Sequence, residues 1–117
     1  MQHSAIWIDH HKAYIFDYSA DGVHERVVEP HQEHKISKEH LKKFYHDLAN
    51  TLNNSNRILV MGPGMAKMEF KHHCEEHHPT INKAIVAVEN MQDHPTKEEI
   101  LHSSNAFFKK YFMWANA

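Results

Sequence analysis

Gly62-Pro63-Gly64-Met65-Ala66-Lys67 joins an apolar, strand-like run over residues 57–61 to a helical pattern, and two of the chain's three glycines sit in it. Glycine permits turns and close backbone approaches that other residues resist, and proline fixes φ. The helix that follows would present free N–H groups and a partial positive charge, with Lys67 one turn in, which is the chemistry of an anion-receptive corner. The same residues also make an ordinary strand-to-helix turn. A second group is His72-His73-Cys74-Glu75-Glu76-His77-His78. On a helix, His73 and His77 share one face at i,i+4, and Cys74 and His78 share another. Two such ligands can begin a zinc site, but a tight one takes three or four in tetrahedral geometry. No His-Glu-x-x-His string occurs. Asp9, followed by His10 and His11, is the third feature: a carboxylate at a strand end can help hold divalent metals for in-line hydrolysis.

Histidine is the compositional outlier, with fourteen residues spread along all 117. It titrates near neutrality and is the commonest metal ligand. Scattered over polar stretches, these histidines read as a compositional habit, and neither a metal ligand nor a cofactor is assigned from them. The remaining composition is that of an ordinary globular protein, 41% hydrophobic and 24% charged. Its length suits a single domain spanning residues 1–117. A net charge of −2 means that any nucleic-acid contact would come from a local patch. One cysteine, Cys74, forbids an intrachain disulfide and fits a cytoplasmic setting. No apolar run approaches membrane-spanning length, and Ala5-Ile6-Trp7-Ile8 is too short for a signal-peptide core.

The elements that must position these residues follow from periodicity. Residues 4–9 and 12–17 read as two strands of a tight hairpin, the first apolar on both faces. Residues 22–29 make a third, more polar edge strand. A linker over 30–35 leads to Ser37, which caps a helix to about residue 53 with Leu41, Phe44, Tyr45, Leu48 and Leu52 on one face. Residues 57–61 form a fourth strand and 65–77 a second helix, with Met68 inward and Pro79 closing it. Residues 83–88 form a fifth strand. Thr96-Lys97-Glu98-Glu99 is a capping box opening a last helix. Trp7, Trp114 and the Phe107-Phe108 pair are assigned to the core.

This β-β-β-α-β-α-β-α order predicts a three-layer α/β/α fold. Its mixed five-stranded sheet has the order 3-2-1-4-5, with only the second strand antiparallel, as in ribonuclease-H-like folds. Open α/β sheets bind ligands at the C-terminal strand ends, near the topological switch point. Here that places Asp9 opposite Gly62-Pro63-Gly64, with residues 29–34 and 89–94 at the same end. His10, His11, His31, His34 and His94 would gather there.

Gly62-Pro63-Gly64-Met65-Ala66-Lys67-Met68-Glu69-Phe70 resembles the glycine-proline-glycine, lysine, phenylalanine segment in the middle domain of archaeo-eukaryotic release factors and Pelota proteins. It is still more similar to their bacterial relatives, in which alanine and lysine follow the turn. Ile6-Trp7-Ile8-Asp9-His10-His11-Lys12-Ala13-Tyr14-Ile15 resembles the first hairpin of those bacterial proteins. The resemblance covers nearly the whole chain as one middle-type domain of a translational-machinery component. In the release factors, a long loop between the third strand and first helix carries a Gly-Gly-Gln tripeptide that promotes peptidyl-tRNA hydrolysis. In this chain the connection is short, near residues 30–36, and the tripeptide is absent from the sequence. The flanking domains that read stop codons and recruit partners are not expected in it either.

The resemblance therefore implies a non-catalytic, translation-associated protein. It would bind the ribosome, tRNA or another RNA, or a translation factor, through Asp9, His10, Gly62, Pro63, Gly64 and Lys67, with no catalytic residue. The alternative is a metal-dependent nuclease or phosphotransfer enzyme using Asp9, with Glu89 or Asp93 borrowed from beyond the fifth strand. Strand four ends in Gly-Pro-Gly where such an enzyme would place an acid, which weighs against it. Lys35, Lys38, Lys42, Lys43, Lys67 and Lys71 could meet phosphates, but interleaved acids give them the look of a solvated face. The polar third-strand edge and the apolar C-terminal tail leave room for a homodimer.

Overall fold

Alternating apolar positions in short runs, separated by turn residues, give the chain its strands. A computed structural model describes residues 2–29 and 37–115. Its elements are β1 (Gln2–Ile8), β2 (Ala13–Ser19), β3 (Gly22–Val28), α1 (Lys38–Thr51), β4 (Ser55–Gly62), α2 (Ala66–His77), α3 (Pro79–Ala84), β5 (Ile85–Asn90) and α4 (Lys97–Ala115). The sheet order is β3-β2-β1-β4-β5, as the sequence predicted. β2 is antiparallel to both its neighbours, while β1–β4 and β4–β5 are parallel.

Alternation along the central strands divides the core between two faces. Ile6, Ile8, Ile15, Ile58 and Val60 pack with Phe44 and Leu48 of α1, its C-cap Leu52, and Phe70 and Cys74 of α2. Ala5, Trp7, Phe16, Leu59 and Met61 pack on the other face with Ile100 and Phe108 of α4. The result is the expected three-layer arrangement. Ser37 accepts the His40 amide at 3.2 Å, capping α1. Thr96 and Glu99 form a reciprocal capping box: the Thr96 amide reaches Glu99 Oε1 at 2.8 Å, and the Glu99 amide reaches Thr96 Oγ1 at 3.1 Å.

A buried polar cluster ties β1, β2, β3 and β4 to the end of α1. Asp17, 7% exposed, accepts from Ser4 Oγ at 2.6 Å through Oδ1 and from Arg26 Nε at 2.7 Å through Oδ2. Arg26 also donates to the Thr51 carbonyl at 2.8 Å, and Ser4 shares a short hydrogen bond with Ser55. Each of these groups has a partner, as burial of polar atoms requires.

Three expectations are corrected. Pro79 does not only end a helix: it starts the six-residue α3 at its first position, where a missing N–H costs nothing, so β5 begins at Ile85. Met68 is 47% exposed, because the inward stripe of α2 is Ala66, Lys67, Phe70, His73 and Cys74. Two positions from Ala66 and from Phe70, it lies about 200° around the helix from either. Trp7 and Phe108 are in the core, but Trp114 is 82% exposed and Met113 66%. They occupy the last turn of α4, beyond Phe112, the last residue that packs on that face.

Candidate functional site

At the C-terminal ends of β1 and β4 the backbones approach closely. A Cβ on Gly62 would stand 2.1 Å from the Ile8 carbonyl oxygen, so only glycine lets β4 lie against β1 here. The Met91 amide donates to the Gly62 carbonyl at 3.1 Å, and Trp7 Nε1 donates to the Gln92 carbonyl at 3.1 Å, pinning the chain beyond β5 to the same end. Gly64 holds φ at 60°, the left-handed conformation that turns the chain into α2.

Each sequence-predicted site residue has a definite place. Asp9 closes the β1–β2 turn: its Oδ1 accepts the amides of His11 at 2.7 Å and Lys12 at 2.9 Å. Lys67 is 7% exposed and folds back over the turn, donating from Nζ to the Gly64 carbonyl at 2.5 Å. Its ammonium thus satisfies the turn's own backbone. Pro63 is half-buried between the two glycines. His10 leaves the β1–β2 turn and meets α2, its Nε2 lying 3.0 Å from Glu69 Oε1. The same oxygen accepts the Tyr45 hydroxyl of α1 at 2.8 Å. Burial, and then the adjacent Glu69 carboxylate, push the Tyr45 hydroxyl well above its usual pKa, so it is a proton donor at any physiological pH.

His10, Glu69 and Tyr45 thus join the hairpin turn, α2 and α1 in one hydrogen-bonded group. Glu69 and Tyr45 were missed from sequence. Tyr45 read as one more apolar-face residue, and Glu69 as one of several acids interleaved with lysines. The basic patch is partly consumed internally: Lys43 pairs with Asp47 at 3.3 Å, and Lys71 with Glu75 at 3.0 Å and Asn82 at 2.9 Å. Residues 30–36, with His31, His34, Lys35 and the short connection compared with the Gly-Gly-Gln loop, lie outside the described residues. His94 lies 3.6 Å from Asp93.

A second group of ionisable side chains lies where α1 meets α2 and α3. One ring nitrogen each from His46, His73 and His78 falls within a 4.8 Å span. It is the one such group of potential ligands among the described residues, and Asp9, Glu89 and Asp93 take no part in it. α2 supplies His73 from its inward stripe, and the bend between α2 and α3 supplies His78, which caps both helices. His46 comes from α1. Burial, followed by the neighbouring His77, His78, His46 and Lys42, pulls His73 down to about 4, so its ring is neutral at physiological pH. Its Nε2 is buried without a hydrogen-bond partner among the described residues. Cys74, paired with His78 by helical spacing, lies fully inside the core, where burial pushes the thiol up to about 12. Helical spacing therefore found two of the three histidines and paired each with a different partner.

The layered sheet and its glycine-tied strand ends define a class of fold, and comparison with solved structures says which proteins share it. Over 90% of this chain, Archaeoglobus fulgidus Pelota is similar at a TM-score of 0.65 and 18% identity. Over 87%, the Thermoplasma acidophilum Pelota protein is similar at 0.67 and 21% identity. The archaeal translation termination factor aRF1 matches 98% of the chain at 0.56 and 16% identity. At such identities the likeness establishes a shared fold. The matched part is 31% of each Pelota chain and 41% of aRF1, so this chain corresponds to a minor portion of each. No protein family matches the sequence, and no curated protein is significantly similar to it. Among the described residues, no helix is long and apolar enough to cross a membrane.

Proposed function

We propose that residues 1–117 form one domain of the release-factor and Pelota middle-domain type, which acts in translation by binding and not by catalysis. The observation that carries this reading is the fold itself, shared with two Pelota proteins and a termination factor over 87–98% of the chain. The turn at Gly62-Pro63-Gly64 and the first hairpin, which suggested the same relatives from sequence, meet at the Gly62–Ile8 contact. The ribosome, an RNA or a translation factor would dock at this strand-end face in the cytoplasm. His10 offers an accessible polar side chain there, 37% exposed and poised on Glu69, itself 42% exposed. Lys67 and Asp9 shape the backbone beneath it. The non-catalytic reading rests on the absence of a Gly-Gly-Gln tripeptide from the sequence and on the engagement of Asp9 in its own turn.

Co-sedimentation with ribosomes across a salt series tests this. The wild-type chain is expected to pellet at low salt and to be released as salt rises, since surface electrostatics are screened. His10→Ala should weaken pelleting while leaving the fold intact. Failure to pellet at any salt concentration would remove the ribosome from the reading. RNA cleavage dependent on magnesium or manganese and abolished by Asp9→Ala would replace binding with catalysis.

A further inference from the structure

The histidine cluster between α1 and the α2–α3 bend has no role in the strand-end face, and its geometry is not that of a satisfied network. His46 Nδ1 and His78 Nε2 are 3.1 Å apart, and all three rings place a nitrogen within a 4.8 Å span. Tetrahedral zinc with Zn–N bonds near 2.0–2.1 Å sets its ligand nitrogens about 3.3 Å apart. One edge of the triangle is therefore already near that spacing, and closing the other two needs side-chain movements on the order of 1 Å. His73 meanwhile keeps a buried ring nitrogen without a partner among the described residues, an arrangement that is costly unless something else completes it.

We propose that His46, His73 and His78 form a binding site for a divalent zinc ion. Three imidazole nitrogens suit a borderline metal such as zinc and not magnesium or calcium, which take oxygen ligands. No thiolate joins them, because Cys74 is turned into the core. A groove of about 590 Å³, bordered by Glu39, Lys42 and Lys43 as well as the histidines, opens onto the cluster and leaves a fourth position for water. Glu39 brings a negative charge to that groove, and Lys43 is already paired with Asp47.

The outer contacts fit. His46 Nε2 lies 3.2 Å from the Asn50 amide nitrogen. With Nδ1 on the metal, His46 would carry its proton on Nε2, and a half-turn of the Asn50 amide would present Oδ1 to accept it. A carbonyl oxygen on the distal nitrogen is the usual way a ligating histidine is oriented. Because His46 belongs to α1, and His73 and His78 to α2 and its C-terminal bend, the ion would link two helices whose ligands are 27 and 32 residues apart.

Isothermal titration of the full chain with zinc chloride, free of any affinity tag, tests the site. Parallel titration with cobalt(II) would report tetrahedral coordination by its visible absorption. The expected result is saturation near one equivalent. His46→Ala and His78→Ala should each weaken binding by at least about 10-fold, the lower end of what even outer-shell losses produce. His24→Ala, an exposed histidine outside the cluster, should leave it unchanged. His46 is itself exposed, so its removal is compatible with an unaltered circular dichroism spectrum, and it decides the matter should His78→Ala fail to fold. Absence of saturable binding, or wild-type affinity in a folded His46→Ala or His78→Ala variant, would overturn the assignment.

Discussion

The molecule holds two polar clusters, and they are built on opposite terms. Around Asp17, both carboxylate oxygens accept from a buried or half-buried donor, and Arg26 reaches on to the end of α1. Around His73, like groups face one another: imidazole meets imidazole, and one buried nitrogen has no partner among the described residues. Low local dielectric strengthens the first arrangement and penalises the second. A satisfied network holds strands in register without any ligand. An unsatisfied one of equal neatness points outside the chain, to something that would complete it.

Three measurements can break or sharpen this contrast. The largest effect belongs to Asp17→Ala, which leaves Ser4 and Arg26 without their shared acceptor. It should lower stability by about 3 kcal/mol, read as a shifted urea midpoint at unchanged slope. A loss under about 1 kcal/mol would mean that the Asp17 cluster is dispensable. Zinc at ten times its dissociation constant should raise wild-type stability by about 1.4 kcal/mol, with no such rise in His46→Ala. The smallest effect is expected from His73→Leu in metal-free buffer: within about 1 kcal/mol of wild type and in the stabilising direction, since a buried nitrogen with no partner among the described residues is replaced by apolar surface of similar volume. A loss as large as that of Asp17→Ala would make His73 structural and erase the distinction.

Much of the fold was legible in the residues. Strand order, strand directions and the two capping motifs were read from apolar alternation, crossover rules and the Ser37 and Thr96 positions. The backbone geometry at the strand ends was legible in outline. Gly62 does lie against the end of β1, but Lys67 turns back onto Gly64 and Asp9 onto its own turn, where an anion-receptive corner was expected. Glycine spacing reports where the backbone can bend. It does not report whether a long, flexible lysine will reach outward or satisfy the carbonyl three residues behind it.

By itself the sequence determined most of what depends on near neighbours along the chain: which runs are strands, where α1 and α4 start, and which face of α1 carries the apolar stripe. Those features follow from periods of 2 and 3.6 residues. Only the tertiary structure decided what depends on two elements meeting. It joined Tyr45 to Glu69 and His10, sent Trp114 past the edge of the core, and brought His46 from one helix to His73 and His78 of another. The reason is geometric: an i,i+4 spacing sets a distance within one helix, but the distance between side chains on two helices is set by how both pack on the sheet.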